Sequence, residues 1–267
     1  MDILVTLNEN YMPQLRVMLA SLAINCPGER ADIWLLHRAI SPEGVRSLDE
    51  FCLARGMRLH EVRANEDLFS GAPSTKQYPP EMYFRLLAGQ LLPQSLERVL
   101  YLDPDILIIN SLKPLWETDL RGSMFGACAH TGKTELANSV SYVRLGSEKY
   151  YNSGVLLMDL ALMRREIAPE ELFRYAEEHR RELILPDQDM LNAMFSGRIL
   201  DLPDIIWNYD ARNYSTYFLR TSGEADTDWV MRNTAILHFC GRAKPWKSMY
   251  RHRFGVLYKH YMRIAER

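Results

Sequence analysis

The chain has 267 residues, 47% of them hydrophobic and 25% charged, with a formal net charge of −2. That composition excludes a disordered, collagen-like or coiled-coil protein, and the near-neutral total argues against a dedicated nucleic-acid binder. No apolar run approaches the ~18 residues of a membrane-spanning helix, and Met1-Asp2-Ile3-Leu4 lacks the basic and apolar stretches of a secretory leader. Cys26, Cys52, Cys128 and Cys240 are scattered, with no C-x-x-C pair. The expectation is a cytoplasmic protein with reduced thiols, not a disulfide framework or a zinc site. Charge is unevenly spread: residues 242–267 hold eight Lys/Arg against Glu266, a net of +7, and residues 1–241 hold 24 basic against 33 acidic residues, a net of −9. The basic segment also carries Trp246, Tyr250, Phe254, Tyr258 and Tyr261, a pattern that fits an anionic partner.

In chain order, Ile3–Leu7 is a short strand-like run followed by the turn-prone Asn8-Glu9-Asn10. Leu15, Met18, Leu19 and Leu22 recur at helical spacing until Pro27-Gly28. Ile33–Leu36 reads as a second strand. Ser41-Pro42 then starts a helix, with an apolar face of Val45, Leu48, Phe51 and Cys52 that runs to Gly56. Leu59–Val62 is a third strand, and Met82–Leu92 a helix closed by Pro93. Val99–Leu102 and Ile106–Ile109 are apolar runs separated only by Asp103-Pro104-Asp105. This is the βαβα rhythm of a mainly parallel sheet with helices on its faces. Further on, Ser123–Ala127 is a weak strand and 130–150 a polar loop. Gly154–Met158 is a buried strand, Pro169–Leu183 a charged surface helix, a further helix follows Pro186, and Ala235–Phe239 is a late strand. Tyr250, Phe254, Leu257, Tyr258 and Tyr261 fall on one helical face, with Arg251, Lys259 and Arg263 on another side. Gly255 weakens that helix by up to ~1 kcal/mol. The apolar face either packs on the domain or docks at a lipid interface.

The sharpest chemical signal is Asp103-x-Asp105. In extended chain, residues i and i+2 point the same way, so both carboxylates face one point. Pro104 lacks an N–H and interrupts a central strand. Two acids at a buried strand end repel each other unless a cation neutralises them, and oxygen ligands suit Mg²⁺ or Mn²⁺, with an added imidazole favouring Mn²⁺. The same pattern also occurs in ordinary surface loops. Ala127–Thr134 matches A-x-x-x-x-G-K-T, a degenerate phosphate-loop pattern with Asp159 as a downstream acid, and its bland reading is a polar loop. The chain has no G-x-G and no G-x-S-x-G, so neither a dinucleotide fingerprint nor an acyl-hydrolase elbow is present. Asp187-Gln188-Asp189 opens a predicted helix, where acids also serve as simple caps. His238 ends a strand, where a histidine is commonly just packed, and Lys244 follows Gly241 by three residues, a placement suited to a phosphate oxygen.

Six segments taken in order resemble the family 8 retaining glycosyltransferases, in particular the bacterial lipopolysaccharide galactosyl- and glucosyltransferases. They are Met1-Asp-Ile…Asn10-Tyr11, Tyr83-x-Arg85, Tyr101-Leu-Asp-Pro-Asp105, Tyr151-Asn-Ser-Gly-Val-Leu-Leu157, Asp187-Gln-Asp-Met-Leu-Asn192 and His238-x-x-Gly241-x-x-Lys244-Pro-Trp246. The resemblance implies a GT-A type single α/β domain with a Rossmann-like, mainly parallel sheet and a helical basic extension. It divides the chain into a glycosyltransferase domain at 1–241, with a nucleotide-binding half (1–110) and an acceptor-side half (111–241), and an extension at 242–267. It implies a UDP-sugar donor, a glycan or glycolipid acceptor and Mn²⁺ or Mg²⁺ on Asp103, Asp105 and His238. Thr6, Asn8, Asn10 and Tyr11 would line the uridine pocket, and Arg85, Asn152, Asp187 and Gln188 would contact the donor sugar. Gly241 and Lys244 would meet the phosphates. The family often has an acid where Asn8 stands here, and an amide oxygen can still accept from uracil N3–H.

The implied reaction is transfer of a hexose with retention of anomeric configuration. Double displacement needs a carboxylate nucleophile, and the family instead places a residue matching Gln188 near the anomeric carbon. Same-face attack through an oxocarbenium-like state is therefore favoured, with Asp187 as the carboxylate to test. Two other classes remain open: a phosphate-loop NTPase using Lys133, and a catalytically silent UDP-sugar binder. A peripheral contact of the extension with the anionic inner face of a membrane fits the charge pattern.

Overall fold

The computed structural model describes residues 1–69, 72, 80–129 and 149–267. The alternating first half produces β1 (Asp2–Thr6), β2 (Asp32–His37) and β3 (Arg58–Arg63), all parallel, with helices Met12–Asn25 and Pro42–Leu53 between them. The second helix begins as its sequence demands: Ser41 Oγ accepts the N–H of Gly44, and Pro42 fills the first turn. Later strands are β4 (Arg98–Leu102), β5 (Ile106–Ile108), β6 (Phe125–Ala129), β7 (Tyr151–Asp159), β8 (Ile199–Leu202), β9 (Tyr209–Asp210) and β10 (Ile236–His238).

Seven strands form one sheet in the order β3-β2-β1-β4-β7-β6-β8. Among its described residues, only β4–β7 and β6–β7 of this sheet pair antiparallel. β1 has β2 on one side and β4 on the other, so the chain order reverses there. Loops leaving the C-terminal ends of β1 and β4 diverge at such a point and open a crevice, where open α/β sheets bind ligands. The other three strands form a small sheet, β5-β10-β9.

β1 shows why the central strands read as unbroken apolar runs. Ile3 and Val5 enter one core while Leu4 enters the other, and Leu100 and Leu102 alternate with Val99 and Tyr101 in the same way. A third core lies under the small sheet, where Leu107, Tyr209, Leu237 and Phe239 meet Phe254, Tyr258 and Tyr261. The C-terminal helix spans only Gly255–Ala265, so Tyr250 and Phe254, expected on its face, precede it, while Tyr258 and Tyr261 pack from the helix onto the body. Tyr261 Oη accepts from Asn25 Nδ2 at 2.7 Å, and each buried aromatic contributes about 1.5–3 kcal/mol by leaving water. Arg251, Lys259 and Arg263 face solvent. Gly255 has a positive role as well, since a Cβ there would lie 2.5 Å from Tyr250 Cδ1.

Three sequence expectations change. Met82–Leu92 is not one helix but a 3-10 turn at Pro80–Tyr83 and a short helix at Ala88–Leu91. Tyr83, Phe84, Leu86, Leu87 and Ala88 are all fully buried, and Arg85 between them turns into the crevice, so tertiary contacts override the helical pattern. The Pro169 helix stops at Glu178, and Leu183 beyond it turns into the core. The weak run at 123–127 yields a fully paired strand, β6. Gly126 there packs so tightly that an added Cβ would sit 3.1 Å from Leu120 and Leu202 methyls, a context that outweighs low strand propensity. Most of the loop expected at 130–150 lies outside the described residues. Among those described, no helix is long and apolar enough to cross a membrane.

Candidate active site

Asp103-Pro104-Asp105 crosses from β4 in the large sheet to β5 in the small one. Asp103 N donates to Gly154 O at 2.8 Å, extending the β4–β7 ladder by one residue, and Phe239 N donates to Asp105 O at 3.0 Å. The β5–β10 register pairs His238 with Ile106 and so sets the imidazole beside Asp105. His238 Nε2 lies 3.2 Å from Asp105 Oδ1 and 3.9 Å from Asp103 Oδ2. One oxygen of each acid and one ring nitrogen fall within 4.8 Å of one another. Gly154 keeps that space open: a Cβ there would come 2.4 Å from His238 Cε1 and 2.6 Å from Asp103 Oδ2. Two carboxylates and an imidazole around such a space fit Mg²⁺ or Mn²⁺.

The same acids draw the protein's own cations. Lys244 Nζ donates to Asp105 Oδ2 and, at 3.0 Å, to Phe239 O. Burial alone would push the Asp105 carboxyl up, but His238 and Lys244 outweigh it and hold it below the usual carboxylate range. Burial likewise disfavours a charged His238, and Cys240 and Asp105 reverse that, raising the imidazole well above its ordinary value.

The facing wall is organised by Arg85. Its Nη1 lies 2.9 Å from Asp187 Oδ2 and donates at 3.0 Å to both Ser153 O and Ser153 Oγ, while Nη2 lies 3.3 Å from Asp103 Oδ1. The guanidinium sits over the Tyr101 ring at 4.5 Å. Tyr101 Oη donates to Asp103 Oδ1 at 2.6 Å and lies 3.2 Å from Thr6 Oγ1. Burial works against the charge on Arg85, and Asp187, Tyr101 and Asp103 reverse it, so its pKa rises.

Asp187-Gln188-Asp189 divides its labour at the start of helix Pro186–Phe195. Asp189, in the first turn, reaches back to accept the N–H groups of Ile184 and Leu185 at 2.7 and 2.9 Å and the Tyr150 hydroxyl. Asp187 faces Arg85, and Gln188 faces the interior. Asn192, one turn beyond Gln188, straps this helix to β7 by accepting from Tyr151 N at 2.6 Å and donating to Tyr151 O at 2.8 Å. That strap holds Gln188 against Asn152, whose Nδ2 donates to Gln188 Oε1 at 2.9 Å.

A cleft of about 500 Å³ runs between the walls, with Thr6, Asn8, Tyr11, Arg85, Asp103, Asp105 and Asp187 among its lining residues. Asn8 Oδ1 accepts from Asn10 N at 3.1 Å, which fixes the rim turn, and Asn10 itself is exposed on that turn. Tyr11 is half open to solvent, edge-on to Trp246 with ring centroids 6.4 Å apart. Asn152 and Gln188 are buried behind the wall, Lys244 reaches Asp105 from beyond the small sheet, and Gly241 is exposed on the loop between them. Gly241 has φ +78°, and a Cβ there would lie 2.2 Å from Arg212 Nη1. Asn208 and Ser153 join the site without having been expected from sequence. The phosphate-loop residues Lys133 and Thr134 lie outside the described residues, and Asp159 caps the following helix by accepting Leu162 N at 2.8 Å.

The profile of glycosyl transferase family 8 matches residues 2–250. General stress protein A of Bacillus subtilis (strain 168) is 28% identical over 270 residues, covering 98% of this chain and 93% of that protein. A lipopolysaccharide 1,2-glucosyltransferase of Escherichia coli (strain K12) is 26% identical, covering 89% of this chain and 70% of its own length. Among solved structures, the galactosyltransferase LgtC in complex with donor and acceptor sugar analogs superposes with a TM-score of 0.82 at 26% identity, over 99% of this chain and 96% of that one.

Proposed function

The chain belongs to glycosyl transferase family 8, and on that premise we propose that it is a metal-dependent, retaining hexosyltransferase. It moves a hexose from a UDP-sugar to an acceptor hydroxyl on lipopolysaccharide or another cell-surface glycan. The observation that carries this reading is the meeting of Asp103, Asp105 and His238 with Lys244 where the strand order reverses, opposite the Arg85–Asp187 pair. The E. coli lipopolysaccharide glucosyltransferase and the sugar-bound LgtC complex support the substrate class.

Asp103, Asp105 and His238 would hold Mn²⁺ or Mg²⁺, and a cation held there supplies Lewis-acid stabilisation of a departing diphosphate. The chain's own groups do the rest. Lys244, exchanging Asp105 for a phosphate oxygen, adds a second positive charge, and Gly241 lets the backbone approach closely. Tyr11 offers uracil a stacking face, with Thr6, Asn8 and Asn10 around the uridine. Arg85, Asn152, Asp187 and Gln188 orient the sugar from the other wall, with residues 1–110 forming most of the nucleotide side and 111–241 the acceptor side. A carboxylate already shared between Arg85 and the Ser153 hydroxyl is poorly placed to act as a free nucleophile, and an amide is a weak one, so acceptor attack comes from the face the diphosphate leaves. An α-linked donor then gives an α product, read from the anomeric proton by NMR, whereas a β product overturns retention.

The exposed bases of 242–267 are read as a peripheral contact with an anionic cytoplasmic leaflet. The aromatics are turned inward, so the attraction is electrostatic, about 1 kcal/mol per base near the surface. Full-length protein should pellet with anionic vesicles at low salt and leave them at high salt; failure to pellet at low salt rejects the contact.

A further inference from the structure

Behind the cleft, four side chains form one buried run of hydrogen bonds. His238 Nδ1 lies 2.8 Å from Asn208 Oδ1, Asn208 Nδ2 donates to Asn152 Oδ1 at 2.8 Å, and Asn152 Nδ2 donates to Gln188 Oε1 at 2.9 Å. All four residues are at most 8% exposed. The run joins the group expected to hold a cation to the group expected to meet the donor sugar. Asn208, its central member, comes from the link between the short helix Asp204–Trp207 and β9.

The two ends of an amide have nearly the same shape, so the direction of such a run needs an independent anchor. Two backbone N–H groups provide it. Gly154 N donates to Asn152 Oδ1 at 3.0 Å, and a reversed Asn152 would press its NH₂ against that N–H. Ser153 N donates to Gln188 Oε1 at 3.3 Å. With the Asn152 oxygen fixed, only the NH₂ of Asn208 can face it, so the Asn208 oxygen faces the imidazole. Nδ1 of His238 must then carry a hydrogen. At the other end, the Gln188 oxygen accepts from both Asn152 and Ser153, and its NH₂ is turned toward the Tyr150 hydroxyl.

We propose that Asn208 is a positioning residue that holds His238 as the Nδ1–H tautomer, leaving Nε2 for the divalent cation, and that through Asn152 it keeps the oxygen of Gln188 engaged within the protein. The Gln188 oxygen, held by Asn152 and Ser153, is then not available to attack the anomeric carbon. A ligating imidazole whose second nitrogen is held by a neighbour is the arrangement that tunes and orients metal ligands in general. The inference rests on the transferase reading above, and its tests separate the two.

The first test is the tautomer itself. In ¹⁵N-histidine protein saturated with Mg²⁺, two-bond ¹H–¹⁵N correlations, assigned by their loss in His238→Gln, should show a protonated Nδ1 and an unprotonated Nε2 on His238. An Nε2–H tautomer in the loaded protein overturns the proposal. This readout needs no turnover, so it decides the inference even if every UDP-sugar tried proves inert. The second test compares two variants. Asn208→Leu removes both links, whereas Asn208→Asp still accepts from Nδ1–H but offers Asn152 an oxygen where it needs an NH₂. Mn²⁺ affinity, followed by electron paramagnetic resonance without donor, should fall about ten- to a hundredfold in Asn208→Leu and stay near wild type in Asn208→Asp. Turnover of a UDP-sugar should fall in both. A merely structural asparagine would lower melting temperature and metal affinity together in both variants, and that result, or no change in either, contradicts the proposal. If Asn208→Leu does not fold, Asn208→Asp and the tautomer still decide it.

Discussion

The wall formed by Asp103, Asp105, His238 and Lys244 is made of charges, whereas the one behind it, formed by Asn152, Gln188, Asn192 and Asn208, is made of neutral amides. Unit charges 4 Å apart at a protein surface interact by about 4 kcal/mol, while a neutral hydrogen bond contributes about 1 kcal/mol net. The charged wall is consequently responsive: its partners can be exchanged, a lysine for a cation, and its groups titrate. The amide wall does neither. It has fixed donors and acceptors, and two backbone N–H groups set its direction. A site that must admit a charged ligand while holding a sugar in one orientation needs both kinds of wall, and Arg85 connects them, reaching Asp103 on one side and, on the other, Ser153, whose N–H donates to Gln188.

The largest break in this contrast comes from removing that connection. Arg85→Leu leaves two carboxylates in the crevice without their guanidinium, and loss of one partner from a buried pair costs about 3–5 kcal/mol. Urea denaturation should report a loss of that size; a variant within ~1 kcal/mol of wild type would mean that Arg85 does not join the walls.

A smaller effect sharpens the difference between titrating and non-titrating walls. The folded pKa of His238 is raised above its ordinary ~6.5 and that of Asp105 is lowered below its ordinary ~3.9. Between those ordinary values both groups stabilise the metal-free fold fully. Above pH ~6.5 the unfolded chain gives up the histidine proton while the folded protein keeps it, so stability falls as pH rises, by at most ~1.4 kcal/mol per pH unit. Below pH ~3.9 the unfolded chain takes up the Asp105 proton first, and stability falls again. In EDTA, melting temperature should drop from pH 6 to pH 8 in wild type and flatten in His238→Gln; equal slopes in the two would contradict this assignment.

How far each wall could be read from sequence follows the same division. The charged wall was legible because Asp103 and Asp105 sit at fixed spacing between two apolar runs, and the strand ending at His238 was visible as an apolar stretch. The βα rhythm of residues 1–63 was equally plain, since short apolar runs alternate with segments of helical period. Arg85 was expected at the site, but its local structure was misjudged: a segment buried on every side has no polar face to reveal its period. Asn208 was missed because no spacing links it to His238, thirty residues later; only the parallel β9–β10 register, which pairs Asp210 with His238, brings the two together. The triplet 187–189 was ambiguous because capping and ligand contact use the same acidic residues at a helix start. Here Asp189 holds the N–H groups leading into the helix, and Asp187 faces Arg85 instead. The tail was ambiguous for a related reason, since an aromatic face suits a core as well as a membrane.

The most direct test of the account is calorimetric titration of UDP into the protein with Mn²⁺ and again in EDTA, repeated for Asp103→Asn and Asp105→Asn. UDP binding should require the cation and disappear in EDTA and in both variants, with the fold retained in each. Undiminished UDP affinity in EDTA would contradict it.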